Sequence, residues 1–264
     1  MADSVKSGST SLLQASDVAS ALVPQSAPNG VRFASFGDTL VADKDLQRVI
    51  QAVPALLAPA LADRVFYFVP LAIPEARTER IEASAPESGR TLIATDATPE
   101  HLDEAICHRN VTLPTHEGVF ISARLLRDAF ALAFEFFINV GHAFADKAGI
   151  PESFATLAWS QATAEIRGET SQDAWETRAT ALAPNTAQPG KVDEKARLDF
   201  LESAFADAIA IYLLSLAVDF DYAELREREY PLLAPAALAD RLRLVAALFP
   251  PNPGYDFSIR YRRR

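Results

Sequence analysis

The residue types that can do chemistry are concentrated in one stretch, "EFFINVGHAFAD", residues 135–146. Glu135, Asn139, His142 and Asp146 fall at offsets 0, 4, 7 and 11, so a helix would carry them as one stripe. Carboxylate, amide and imidazole groups so aligned suit a metal or a polar ligand. They also suit a face turned to water, with Phe130, Phe134, Phe137, Ile138 and Phe144 on the other faces. Two features count against the water-facing reading. Gly141 costs about 1 kcal/mol relative to Ala in a helix interior, which suggests that another chain segment approaches closely there. The stretch is also apolar nearly all round, as expected of a buried central helix.

Elsewhere the chemistry is thin. Cys107 and His108 are adjacent, and adjacent side chains rarely face each other in regular structure, so they make no nucleophile pair. His116-Glu117, in "THEG", lacks a second His four residues on and reads as a turn before a strand. The sequence contains no Gly-rich phosphate loop and no Gly-x-Ser-x-Gly elbow. Trp159 and Trp175 read as packing or local anchoring residues. The single cysteine excludes an internal disulfide framework and fits a reducing compartment.

The chain that must position these residues has 264 residues, 49% of them hydrophobic, enough for a sizeable core. A net charge of −10 is no footprint for wrapping nucleic acid, and no nucleic-acid partner is expected. The one basic cluster, Arg260–Arg264, reads as a solvated tail, with an acidic contact as its alternative. Nothing at the N-terminus resembles a signal peptide, and no apolar run is expected to span a membrane. A cytoplasmic location is the expectation, with non-classical secretion as the alternative.

Residues 1–29 read as a flexible leader with a short helix near 16–22, and residues 30–264 as a single domain. Strands are expected at 31–36, in "RVFYFVPLAIP" and in "TLIATD". Helices are expected in "DKDLQRVIQAVPALLAPALA", with Leu46, Val49, Ile50 and Val53 at helical spacing and Pro54 and Pro59 to limit or kink it, and in "TPEHLDEAICHRN" after a Thr cap. "GVFISARLL" starts as a strand and leads into a long helix over 124–148. "SFATLAWSQAT" gives another helix, 167–192 a long polar loop, and 193–216 and 235–248 two more helices. The order implies an α+β protein, with a small N-terminal mixed sheet followed by a helical half.

On these residues the chain resembles zincin metallopeptidases, whose active helix reads His-Glu-x-x-His. "VGHAFAD" is similar to the His-Glu-x-Gly-His-x-x-x-Asp form of the anthrax lethal factor-like gluzincins. In that register His142 matches the second His and Gly141 the Gly before it. Ile138 falls on the first His and Asn139 on the Glu. The family takes a third zinc ligand, a Glu, from a later helix near "Glu-x-Phe-Ala-Glu-Ala-Phe". This chain has "ESAFADAIAIYLL", which puts Ser203 on the ligand, Asp207 on the second carboxylate and Glu202 one residue out of register, roughly 100° round the helix. The family's Tyr has no counterpart between Val192 and Ser203. The resemblance covers residues 118–248.

A catalytic zinc needs three protein ligands and an open position. Ile138 cannot coordinate, Ser203 is a poor ligand, and the Asn139 carboxamide takes up no proton near neutrality. The resemblance therefore implies a pseudoenzyme with no catalytic residues and no cofactor. Its old groove, flanked by Ile138, Asn139, His142, Glu202, Ser203 and Asp207, would dock a protein or peptide, for instance by strand addition at a sheet edge. One alternative is a zinc hydrolase with relocated ligands, His142 and Asp146 at i, i+4 plus Glu202 or Asp207. Another is a structural subunit that buries an apolar helical face in a partner.

Overall fold

The computed structural model describes residues 12–74, 91–126, 128–183, 192–225 and 230–259. The protein is α+β, and the chain divides into two compact units. The first takes residues up to Ala27, Val31–Leu46 and Ala62–Asp128; the second takes Pro28–Gly30, Gln47–Leu61 and the chain from Ala129 onward. A single domain was expected from the sequence.

The first unit begins with β1 (Leu12–Gln14), α1 (Ala15–Ala21), β2 (Gln25–Ser26) and β3 (Arg32–Ser35). Helix α1 is the short helix expected near 16–22, and the strands around it correct the flexible leader over 12–29: Ala15, Val18 and Ala19 are buried in a core with Val65, Tyr67 and Phe120. The apolar positions 15, 18 and 19 recur at helical spacing, so even a Ser-rich segment buries one face. Residues before Leu12 lie outside the described part of the chain. Helix α2 (Asp43–Gln51) crosses from the first unit into the second. Then follow β4 (Arg64–Val69), β5 (Leu71–Pro74), β6 (Thr91–Ala94), α3 (Pro99–Glu104), β7 (His108–Thr112) and β8 (Glu117–Ser122).

The strands form two sheets. One runs β2-β3-β4-β8-β7, parallel through β3, β4 and β8 with antiparallel edges; the other, β1-β6-β5, is antiparallel. Residues 65–69, all apolar and β-branched or aromatic, are fully buried, as a central parallel strand covered on both faces requires. Strand β7 is a correction, because "HRN" was expected to finish a helix. Helix α3 ends at Glu104, and the half-exposed β7 carries too few apolar residues to show a period of two.

The second unit is helical: α4 (Ala129–Ala148), α5 (Glu152–Thr163), α6 (Gln172–Leu182), α7 (Glu194–Ala217) and α8 (Pro235–Leu248). Helix α4 starts five residues later than the expected Arg124, after a turn. Helix α6 replaces much of the expected loop. Ser171 caps it by accepting from the Ala174 amide (3.2 Å), and its buried positions are Ala174, Arg178 and Ala181. Helical spacing is present, but two alanines and an arginine give no hydrophobic signal. The C-terminal segment is irregular, as expected, yet anchored. Asn252 donates to the Gln51 and Val53 carbonyls (2.8 and 2.7 Å), and Tyr255 to that of Arg48 (2.6 Å). Arg260–Arg264 lie outside the described residues.

Helix α7 is the centre of this unit. It has 24 residues, and by length and composition it matches a membrane-crossing helix, which the sequence was not expected to contain. Its most apolar window is 83% buried inside the protein, the behaviour of a core helix.

Candidate functional site

The stripe residues do not share one environment. His142 and Asp146 are exposed, Glu135 is half-buried and Asn139 is buried, so neither the water-facing reading nor the buried reading holds for the whole stripe. The Asn139 amide turns back on its own helix and donates to the Glu135 carbonyl (2.9 Å). That bond satisfies a buried amide locally and leaves it little to offer a ligand. Ile138 is half-buried.

Gly141 has a clear cause. A β-carbon there would lie 2.3 Å from the Ala206 carbonyl oxygen of α7, so any side chain would push the two helices apart. The glycine cost within α4 is thus offset by close backbone packing. The crossing places "GH" of α4 against "FAD" of α7, the two motifs singled out in the sequence. Phe144 of α4 meets the Phe205 ring at 6.2 Å between centroids.

Next to the crossing, Asp207 is buried at 3% exposure, while Ser203 is half-buried and Glu202 exposed. The Thr170 hydroxyl donates to the Asp207 carboxylate (2.8 Å). Burial pushes the Asp207 carboxyl above its ordinary range. Hydrogen bonds from Ser171 and Thr170 oppose this, as do the charges of His142 and Arg241 more weakly. The arrangement is a buried acid held by two hydroxyls, with an imidazole near enough to act on it.

A second polar cluster, not foreseen from the sequence, joins α5, α6 and α8 through Glu169 in the segment between α5 and α6. Glu169, with no solvent exposure, accepts from Arg178 (3.0 Å) and from Arg241 (2.9 Å). Arg241 also donates to Gln161 (2.8 Å), whose amide donates to the Ala237 carbonyl (3.1 Å). Arg178 adds bonds to the carbonyls of Gly168 (2.9 Å) and Ala162 (3.2 Å). Gly168 makes room for this: its φ is +82°, and a β-carbon there would sit 2.0 Å from the Leu232 oxygen. Every charge in this cluster has a partner, which marks it as architecture.

The metal arrangement does not form. Among the described residues no three His, Cys, Asp or Glu side chains group closely enough to hold a metal ion. His142, Asp146 and Glu202 are exposed while Asp207 points into the core, so the relocated ligand set is not assembled. Trp159 is half-buried, with the Arg197 guanidinium over its ring at 5.0 Å and Phe200 at 6.3 Å, a local anchor as expected. No family profile matches the chain, and no curated protein matches it.

Proposed function

We propose that the chain is a catalytically inactive relative of the lethal factor-like zincins and serves as a protein- or peptide-binding module. The observation that carries this reading is the crossing of α4 and α7 at Gly141 and Ala206. A zincin needs its metal-binding helix beside the helix that gives the third ligand. Here the two sequence matches sit on neighbouring helices in contact. At the matched ligand positions stand Ile138, which cannot bind zinc, and Ser203, a poor ligand, and at the general-base position Asn139, which takes up no proton near neutrality. The accessible part of the old groove is His142 and Glu202, with Ile138 and Ser203 at its edge. Asn139 and Asp207 are buried beneath it.

Restoring the ligands tests the register. Ile138→His with Asn139→Glu and Ser203→Glu should bind zinc stoichiometrically in protein purified without chelator, while the unaltered chain should not. A triple variant that folds but gains no zinc affinity would show that the helices are misaligned with the family. Stoichiometric zinc in the unaltered protein, lost in His142→Ala, would instead establish a working metal site.

A further inference from the structure

We infer that the first unit holds a binding site for a small oxyanion, formed by Arg32, His116, Thr115 and Tyr67. The "THEG" turn, which the sequence reading set aside, supplies two of the four. His116 sits with both ring nitrogens engaged by hydroxyls, Nε2 with Tyr67 (2.8 Å) and Nδ1 with Thr115 (2.9 Å). Tyr67 is fully buried and stacked on Phe120 with ring centroids 4.6 Å apart, so its hydroxyl is rigidly held.

Arg32 provides the charge. Strand β3 pairs with β4 so that Ala34 lies opposite Tyr67, and Arg32, two residues before Ala34, projects from the same face. The N-terminal ends of the parallel strands β3, β4 and β8 lie at one edge, and His116 immediately precedes β8. Burial pushes the Tyr67 hydroxyl up and the His116 imidazole down, and the half-buried Arg32 guanidinium acts to lower both, so its charge reaches both rings. Among the described residues it makes no hydrogen bond and no ion pair. A planar fork of donors beside a His and two hydroxyls fits the oxygens of a carboxylate or a tetrahedral anion.

The hydroxyl arrangement makes binding proton-linked. In neutral His116 one nitrogen must accept, so one hydroxyl spends its proton on the ring. In the imidazolium both nitrogens donate, and both hydroxyls are free to donate to an anion. Burial, followed by the Arg32 charge, keeps His116 below its ordinary pKa, and Glu117 acts the other way. Glu117 accepts from Thr112 (3.1 Å) and is the one carboxylate, among the described residues, that acts on the imidazole. A bound anion offsets Arg32 and favours the imidazolium, so binding strengthens as pH falls through the His116 titration.

The test uses the full chain with sulfate and acetate, which separate tetrahedral from carboxylate recognition, and chloride at equal ionic strength as reference. At least one oxyanion should move the His116 ring resonances saturably where chloride does not. Its affinity should rise by up to about tenfold per pH unit across that titration. Arg32→Gln should weaken binding at least about tenfold. Thr115 is exposed, so Thr115→Val should keep the fold and weaken binding severalfold. No saturable response to either oxyanion overturns the site, as does an unchanged affinity in a folded Arg32→Gln or Thr115→Val. These outcomes leave the reading of α4 and α7 untouched.

Discussion

Two polar clusters of the helical unit stand in contrast. Around Glu169 every buried charge meets an opposite charge or a carbonyl, and nothing is left to bind. Around Asp207 a buried carboxyl has hydroxyls for partners and charges only at a distance, and the residues above it reach solvent. The first cluster holds segments together. The second is a buried acid beside a tight helix crossing, with exposed polar residues next to it.

Substitutions can break or sharpen this contrast. Glu169→Ala should have the largest effect, a loss of about 3–5 kcal/mol in urea denaturation, because it strands two buried guanidinium groups. A loss below about 1 kcal/mol would mean that the cluster is not structural. Gly141→Ala should cost about 2 kcal/mol. Overpacking against the Ala206 carbonyl exceeds the roughly 1 kcal/mol that Ala gains in helix propensity. Equal or higher stability in that variant would refute the tight crossing.

Asp207→Asn separates the clusters by pH. The folded-state pKa of Asp207 is raised, so its ionised form opposes folding above that pKa, and the penalty fades as pH falls towards the ordinary carboxylate range. The variant should therefore be more stable than the unaltered chain near neutrality and converge with it in acid, as followed by thermal melts. A variant less stable at neutral pH would mean that the charge is needed. The smallest effect is expected at Glu165, which follows α5 with φ +54°. Glu165→Gly should add about 0.5 kcal/mol, the left-handed strain relieved less the added freedom of the unfolded chain. Destabilisation on urea titration would show that the Glu side chain contributes something the backbone does not reveal.

What the sequence made legible follows the same physics. The strand at 64–69 and the helix cap at Thr98 could be read because burial and capping select residue types. The close approach at Gly141 could be read because glycine in a helix has a cost that needs a reason. Helix α6 was hidden because its buried face consists of Ala174, Arg178 and Ala181, which imitate a polar loop. The Glu169 cluster was hidden with it, since its members lie as far apart as Gln161 and Arg241 and only the fold joins them. The one signal available was Gly168 beside Glu169, a backbone break next to a charge. His116 was passed over because a lone His before a strand has no partner in the sequence. Tyr67, which supplies one, is 49 residues away.

The order of helices along the chain also bears on how this protein is made. Helix α7 is apolar enough to be mistaken for a membrane segment when alone. The surface that receives it, α4 with Gly141 at its centre, is synthesised first, so it has left the ribosome by the time α7 emerges. A docking face thus precedes the segment that needs it, which shortens the time the nascent chain displays this long apolar helix.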